Sequence, residues 1–236
     1  MDTRFWGPSG WQLYHLIALS AESDHKVYVR FFRAMNSVLP CKYCRESATQ
    51  FLEEDCDMSD LPRWMYDLHN KVNHKLRVQC RENPGIICPG PDPSLKAVLD
   101  IGRSLLASPP DAPPGLDFLF CVAYNYSPPN FVDAYKDTFG LLAKVYPYPE
   151  LRKLIDTPKD KVFQSREALL RWWYSTAKKL CLATHFPIGS FRGTLMKYGR
   201  YKSGCTRGKT CRNGKKVRNH RKTYKITHER LVHIRD

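Results

Sequence analysis

Hydrophobic residues recur at intervals of three or four along most of the chain, which is the spacing of amphipathic helices. In the first half this pattern predicts helices over about 9–20, 25–38, 61–77 and 94–106, with another helix starting near residue 41. In the second half, apolar segments follow at about 116–126, 131–146 and 165–185. The expected fold class is therefore all-α: an N-terminal bundle of four or five helices, then a second helical domain.

Two of these helices carry polar side chains beside aromatic ones. The helix over 9–20, with Ser9 as the expected N-cap, places His15 on an aromatic face, an arrangement more typical of core than of a ligand site. The helix over 61–77 has an apolar stripe with His69 and Asn73 along its edge. Polar groups in such a place need partners. Neighbouring helices would satisfy them, and so would a flat ligand with a polar edge, and the pattern leaves both open.

A CxxC motif at Cys41 and Cys44 is the clearest candidate for chemistry. Pro40 suits the first turn of a helix, so the helix should begin at the cysteines. A helix N-terminus favours a thiolate, and Lys42 and Arg45 act in the same direction. Three interpretations compete for the motif alone: a dithiol/disulfide redox centre, half of a zinc site, or two buried cysteines without a role. Zinc needs two further ligands, and a thioredoxin-like motif should follow a strand.

Composition divides the 236 residues into four expected segments: a domain over 1–80, a proline-rich linker region over 81–115, a helical domain of unknown role over 116–190 and a basic tail over 191–236. The longest apolar run is far too short for a membrane span, and the first residues contain no apolar signal sequence. We therefore expect a protein that is not secreted and works in the cytoplasm. Nine cysteines, an odd number at irregular spacing, do not indicate a secreted disulfide framework.

The net charge of +15 is concentrated in the tail. Residues 192–236 hold fifteen Lys or Arg against two acidic residues, which accounts for +13 of that charge. Such a segment is expected to be partly disordered and to bind nucleic acid or other polyanions weakly. It also contains Cys205 and Cys211. They are either a shuttle pair that relays electrons to Cys41 or two incidental thiols, and the incidental interpretation is favoured because their spacing is not diagnostic.

Three blocks in order resemble the Erv/ALR family of FAD-linked sulfhydryl oxidases. They are Trp6-Gly7-Pro8-x-x-Trp11-x-x-x-His15, then Leu39-Pro40-Cys41-x-x-Cys44, then Leu68-His69-Asn70-x-Val72-Asn73. Each block alone is a weak signal, whereas the ordered set is strong, and it covers about residues 5–77. The resemblance implies a small helical bundle that holds FAD between its helices, commonly as a homodimer.

The resemblance also implies roles for individual residues. Cys44 would face the flavin and Cys41 would meet the incoming thiol. The residues implied as FAD contacts are Gly7, Trp11, His15, Trp64, His69, Asn70, Val72, Asn73 and Lys75. The chain departs from the family at Pro8, where many members have Arg. It also departs at Tyr66, where members often have a structural cysteine, so Cys80 and Cys88 lack that family partner.

The expected function is an FAD-dependent sulfhydryl oxidase that makes disulfides in protein dithiols or in a thioredoxin-like carrier. Electrons would pass through Cys41 and Cys44 and the flavin to O2, which gives H2O2. A disulfide-making enzyme without a signal sequence suggests a large DNA virus, with the protein in the host cytoplasm or in the virion. The alternative is a structural protein, associated with nucleic acid or the virion, whose CxxC domain binds zinc or is inactive.

Overall fold

The computed structural model describes residues 1–22, 24–54, 57–82, 88–202, 223–226 and 231–234. Ten α-helices run through it: α1 Thr3–Leu19, α2 His25–Val38, α3 Lys42–Glu54, α4 Leu61–Glu82, α5 Leu95–Leu106, α6 Leu116–Asn125, α7 Val132–Val145, α8 Pro149–Arg152, α9 Arg166–Ala183 and α10 Phe191–Gly199. A 3₁₀ helix, Asp160–Gln164, precedes α9, and two short antiparallel strands, β1 Thr223–Ile226 and β2 Leu231–Ile234, pair near the end. The all-α prediction is confirmed.

Helix α1 starts earlier than its sequence pattern indicates. Asp2 caps it by accepting a hydrogen bond from the backbone N–H of Arg4 at 2.9 Å, so the expected N-cap at Ser9 is wrong. Pro8 lies inside the helix, where proline normally costs stability. The buried indole of Trp6, 5.4 Å from the ring of Phe118 between centroids, fixes this first part of α1 against the core.

The hydrophobic core continues from the first helices into those beyond the proline-rich region. Helix α1 packs against α4, α5 and α6, helix α2 packs against α7, and α6 packs against α9. One cluster of buried side chains extends from Leu13 to Cys181 across these contacts. The predicted division at 81–115 stays a prediction about the sequence, while the packing joins the helices on both sides of it.

The first residues of the predicted tail are helical and attached to the core. Helix α10 buries Tyr198, whose hydroxyl donates a hydrogen bond to Asp117 at 2.6 Å. Just beyond it, the Tyr201 ring stacks on Phe5 with centroids 3.7 Å apart. These two tyrosines attach the first residues beyond 191 to the core. Cys205 and Cys211, the predicted shuttle pair, lie outside the described residues.

Within the described part of the chain, none of the helices is both long and apolar enough to span a bilayer.

Candidate functional site

A cavity of about 750 Å³ lies among α1, α3, α4, α5 and the loop over 88–93. This volume is within the range of pockets that hold cofactors. The predicted site residues on its wall are Gly7, Trp11, His15, Cys41, Cys44, His69, Asn70, Val72, Asn73 and Lys75. Three sequence blocks that are far apart in the chain therefore meet at one cavity.

Trp64 is the exception among the predicted site residues that the structure describes. Its side chain is buried, and its ring centroid lies 5.3 Å from that of Phe32 on α2. Trp64 lies in the buried N-terminal part of the apolar stripe of α4, whereas His69 lies on the edge of that stripe. The predicted contact of Trp64 with a ligand is thus replaced by packing in the core.

Two histidines and a tryptophan form an aromatic cluster on the cavity wall. The rings of Trp11 and His69 stack with centroids 4.0 Å apart and an angle of 9° between their planes. Nε2 of His15 lies 2.9 Å from Nδ1 of His69, so one imidazole donates to the other. Burial lowers the pKa of His15 to about 4, and burial together with the nearby His15 lowers the pKa of His69 to about 3. Both rings are neutral at pH 7.

Cys41 occupies the cap position of α3, one residue before the first helical residue. Its carbonyl accepts hydrogen bonds from the backbone N–H groups of Cys44 and Arg45, each at 3.1 Å. Its Sγ accepts a hydrogen bond from the backbone N–H of Cys44 at 3.2 Å. Pro40 therefore stands before the cap rather than in the first turn, because the sulfur of Cys41 takes the capping role.

The pKa values of the two thiols are shifted in opposite directions. A hydrogen bond from the Cys44 thiol lowers the pKa of Cys41 to about 7, although burial opposes the shift. The same hydrogen bond, followed by burial, raises the pKa of Cys44 well above its ordinary value. In the reduced pair the thiolate is therefore on Cys41 and the proton is on Cys44.

A lysine from α4 reaches the turn of α3 that follows Cys44. The ammonium group of Lys75 donates a hydrogen bond to Oγ of Ser47, which is three residues after Cys44 on the same helix. The positive charge of Lys75 lowers the pKa of Cys44, against the larger effects of Cys41 and burial. Ser47 thus fixes a cation beside the redox pair.

The loop over 88–93 closes the cavity from the side of α4 and α5. A disulfide between Cys80 and Cys88 joins the end of α4 to this loop, with the two Cα atoms 5.5 Å apart. Cys88 and the four residues Pro89, Gly90, Pro91 and Pro93 line the cavity. Part of the predicted linker is therefore cavity wall. Cys80 and Cys88 also need no cysteine at position 66, since they pair with each other.

Asp92 holds the same loop on α4 through side-chain contacts. Its carboxylate accepts two hydrogen bonds from the Arg77 guanidinium, at 3.0 and 2.5 Å, and one from Nδ2 of Asn73 at 2.9 Å. The Tyr66 hydroxyl adds a hydrogen bond to the carbonyl of Pro93 at 2.9 Å. The bond from Asn73 fixes the orientation of its amide on the cavity wall.

The cavity wall also carries polar atoms without partners among the described residues. Oη of Tyr14 and Nδ2 of Asn36 are buried, and neither makes a hydrogen bond there. Leaving such groups unpaired costs about 1–3 kcal/mol each. Unpaired buried polar atoms, an apolar wall and flat aromatic rings together fit a large, flat ligand with hydrogen-bonding edges, and a flavin is such a ligand.

Much of the chain that forms this cavity is similar to a known protein family. Residues 8–85, which run from α1 to the end of α4, match the model of the Erv1 / Alr family. About a third of the chain is thus similar to the Erv1/Alr family. The family prediction from the three sequence blocks is thereby confirmed.

Two curated proteins are similar to the Erv1/Alr domain. One is the "Mitochondrial FAD-linked sulfhydryl oxidase ERV1" of Saccharomyces cerevisiae, 29% identical over 85 residues. The other is the "Putative FAD-linked sulfhydryl oxidase 347L" of Invertebrate iridescent virus 6, 27% identical over 92 residues. Each match covers 32% of this chain, and they span 45% of the yeast protein and 83% of the viral one. No solved structure matches the chain.

Several cavity residues were not predicted from the sequence. Tyr14, Asn36 and Ser47 received no role, and Tyr66 was noted only as a departure from the family. Asp92, which holds the loop but does not line the cavity, also received no role. Asp92 and its loop lie beyond the Erv1/Alr match. An acidic residue between two prolines gives no signal by itself, because its role depends on the disulfide and on Arg77, which bring the loop back to α4.

Proposed function

We propose that this chain is an FAD-dependent sulfhydryl oxidase that forms disulfides in protein dithiols. The observation that carries the proposal is that Cys44 lines the same cavity as His69 and Asn73. The position of this cysteine pair on the wall of a space that suits a flavin supports the proposal. The names of the two similar proteins, both FAD-linked sulfhydryl oxidases, support the cofactor and the reaction class.

The oxidised pair, Cys41 and Cys44 joined by a disulfide, would accept two electrons from a substrate dithiol. A substrate thiolate attacks Sγ of Cys41, the disulfide breaks and Cys44 leaves as a thiolate. The second substrate thiolate then attacks the substrate sulfur of the mixed disulfide and releases Cys41. The substrate leaves with a new disulfide, and the enzyme holds a reduced pair. Bound FAD would supply the chemistry that takes these two electrons and passes them to O2, which gives H2O2.

The residues around the pair would control its protons. The cap of α3 stabilises a thiolate on Cys41, while Cys44 holds the proton of the reduced pair. Cys44 must lose that proton before its sulfur donates electrons, and the Lys75 ammonium held by Ser47 favours this loss. Cys41 is only 3% exposed, so a substrate thiol gains access to its sulfur after the surrounding chain opens.

The other residues on the wall would bind and orient the cofactor. The neutral Trp11, His15 and His69 cluster provides a flat apolar surface, which suits an aromatic ring system. Asn73, with its amide oriented by Asp92, provides a polar contact at the edge of the apolar stripe of α4. Water would be excluded by the loop over 88–93.

Absorbance and oxygen uptake of the purified full chain test this proposal. We expect the visible bands of a bound flavin and oxygen consumption on addition of dithiothreitol. The Cys44→Ser variant should keep the flavin and lose the oxygen consumption. Cys181→Ala is the matched control, because Cys181 is buried in α9 and does not line the cavity, so this variant should still consume oxygen.

A colourless protein that consumes no oxygen would contradict the proposal and favour the structural alternative. Bound zinc would then distinguish a zinc-binding CxxC domain from an inactive one. Among the residues that the structure describes, no group of three or more His, Cys, Asp or Glu side chains is arranged to hold a metal ion.

A further inference from the structure

Two buried polar groups on the cavity wall have no place in the reaction described so far. Tyr14 of α1 and Asn36 of α2 are 6% and 7% exposed. Within the described part of the chain, Oη of Tyr14 and Nδ2 of Asn36 have no hydrogen-bond partner. Both residues line the cavity that Cys44 lines. A folded protein rarely tolerates unpaired buried groups unless something else binds them.

The position of Tyr14 is fixed by three aromatic rings. Its ring lies edge-on to Trp11, Phe32 and Phe118, with centroid distances of 6.0, 5.8 and 5.5 Å. The ring therefore has little freedom to turn its hydroxyl towards another protein group. Burial raises the pKa of Tyr14 well above its ordinary value, so the hydroxyl keeps its proton and is able to donate it in a hydrogen bond.

Asn36 and Tyr14 belong to the same part of the wall. Asn36 lies one helical turn after Phe32, whose ring contacts Tyr14. Asn36 and Tyr14 both line the same cavity as Cys44. The two unpaired groups thus belong to the wall of the cavity that Cys44 lines.

Three polar side chains on the wall are already bonded within the protein. His15 is paired with His69, Lys75 with Ser47, and Asn73 with Asp92. A bound molecule that satisfied Tyr14 and Asn36 would need hydrogen-bond acceptors facing these two groups. The isoalloxazine ring of a flavin has nitrogen and carbonyl oxygen acceptors along one edge.

We propose that the Tyr14 hydroxyl and the Asn36 amide donate hydrogen bonds to the ring of a flavin bound in the cavity that Cys44 lines. This inference rests on the proposed function, since it names contacts for that cofactor. It assigns Tyr14 and Asn36 to cofactor binding rather than to the core, and it accounts for both unpaired groups with one ligand.

The Tyr14→Phe variant tests the proposal, because it removes only the hydroxyl. The dissociation constant for FAD, measured by equilibrium dialysis of the full chain, should rise about tenfold, as expected for one lost hydrogen bond. The urea midpoint of the flavin-free variant should equal or exceed that of the wild type, because a buried unpaired hydroxyl has been removed. A Tyr14 hydroxyl with only a structural role would give the opposite change in the midpoint.

Tyr146→Phe is the matched control. Tyr146 is fully buried, it does not line the cavity, and its hydroxyl donates to the carbonyl of Pro114 at 2.8 Å. This variant should lower the urea midpoint and leave the dissociation constant for FAD unchanged. If Tyr14→Phe does not fold, Asn36→Leu replaces it, with a severalfold rise in the same constant expected.

The outcomes separate this inference from the proposed function. A wild-type chain that binds no FAD overturns both. A wild-type chain that binds FAD, with Tyr14→Phe or its replacement binding equally tightly, overturns the inference and leaves the proposed function intact. Weaker FAD binding together with an undiminished urea midpoint supports the inference.

Discussion

Nε2 of His15 lies 2.9 Å from Nδ1 of His69, although the two residues are 54 positions apart in the sequence. The contact joins α1 to α4 at the cavity wall, and the stacked ring of Trp11 covers it on one face. Burial keeps both imidazoles neutral, because a proton on either one would be poorly solvated. The pair is thus a neutral, rigid part of the wall.

Acid should destabilise the protein through this histidine pair. Both pKa values are lower in the folded protein, at about 4 and about 3, than the ordinary value of 6.5. Between pH 6.5 and about 4 the unfolded chain therefore binds protons that the folded chain does not, and stability falls as pH falls. The slope from two such groups is at most about 2.7 kcal/mol per pH unit. Urea unfolding at several pH values measures it.

The double variant His15→Gln/His69→Gln provides the comparison for this slope. Glutamine does not titrate, so the acid dependence of the free energy of unfolding should become shallower. An unchanged slope in the double variant would mean that other groups cause the acid sensitivity.

Asp92 should stabilise the loop over 88–93 and strengthen the binding of FAD in the cavity. Asp92→Ala removes the acceptor for Arg77 and for Asn73, so we expect a loss of about 1–2 kcal/mol in the free energy of unfolding. The dissociation constant for FAD should rise severalfold because the Asn73 amide is no longer oriented. Asp100→Ala is the control, since Asp100 forms only exposed pairs with Lys96 and Arg103 on α5. Equal effects of the two variants on FAD binding would rule out this role.

The reactivity of Cys41 should depend on pH near neutrality. Its pKa of about 7 predicts that alkylation of the reduced protein by iodoacetamide, followed at Cys41 by mass spectrometry, increases through pH 7. Cys44→Ala removes the thiol that donates to Cys41 and should move this midpoint to higher pH. Cys181 is the internal reference, because burial raises its pKa to about 11. A Cys41 midpoint that is the same with and without Cys44 would contradict the shared proton.

The packing between α1 and α6 should couple the two halves of the chain. Phe118 of α6 is fully buried, and its ring contacts Trp6 and Tyr14 of α1. Phe118→Ala should reduce the free energy of unfolding by about 3–5 kcal/mol while unfolding remains one transition. The exposed Phe131 is the control, and Phe131→Ala should cost less than about 1 kcal/mol. Two separate transitions, only one of them shifted by Phe118→Ala, would indicate independent domains.

Local patterns in the sequence predicted the parts of the site that lie within single helices. The spacing of Trp11 and His15 placed both on one face of α1, and the edge position of His69 on α4 followed from the apolar stripe. Trp64 was predicted to contact FAD, but its side chain packs against Phe32 in the core and does not line the cavity. It lies in the N-terminal part of the stripe, whereas Leu68, Val72 and Leu76 farther along the stripe line the cavity.

Features that depend on chain closure over long distances were not predictable from local patterns. The prolines between residues 81 and 115 indicated a linker, because proline interrupts helices regardless of what the interrupted segment contacts. The Cys80–Cys88 disulfide and the Arg77 contact to Asp92 turn this segment into cavity wall. Tyr14 has the same helical spacing as a core residue, and only its unpaired hydroxyl distinguishes it from one.

The bond between Cys80 and Cys88 has a consequence for how the protein matures. Cysteines enter a growing chain as thiols, so Cys80 and Cys88 must lose two electrons and two protons before the loop is covalently attached. Newly made copies are therefore chemically different from old ones. The age of a copy, as well as its sequence, determines how firmly the loop is attached to the rest of the fold.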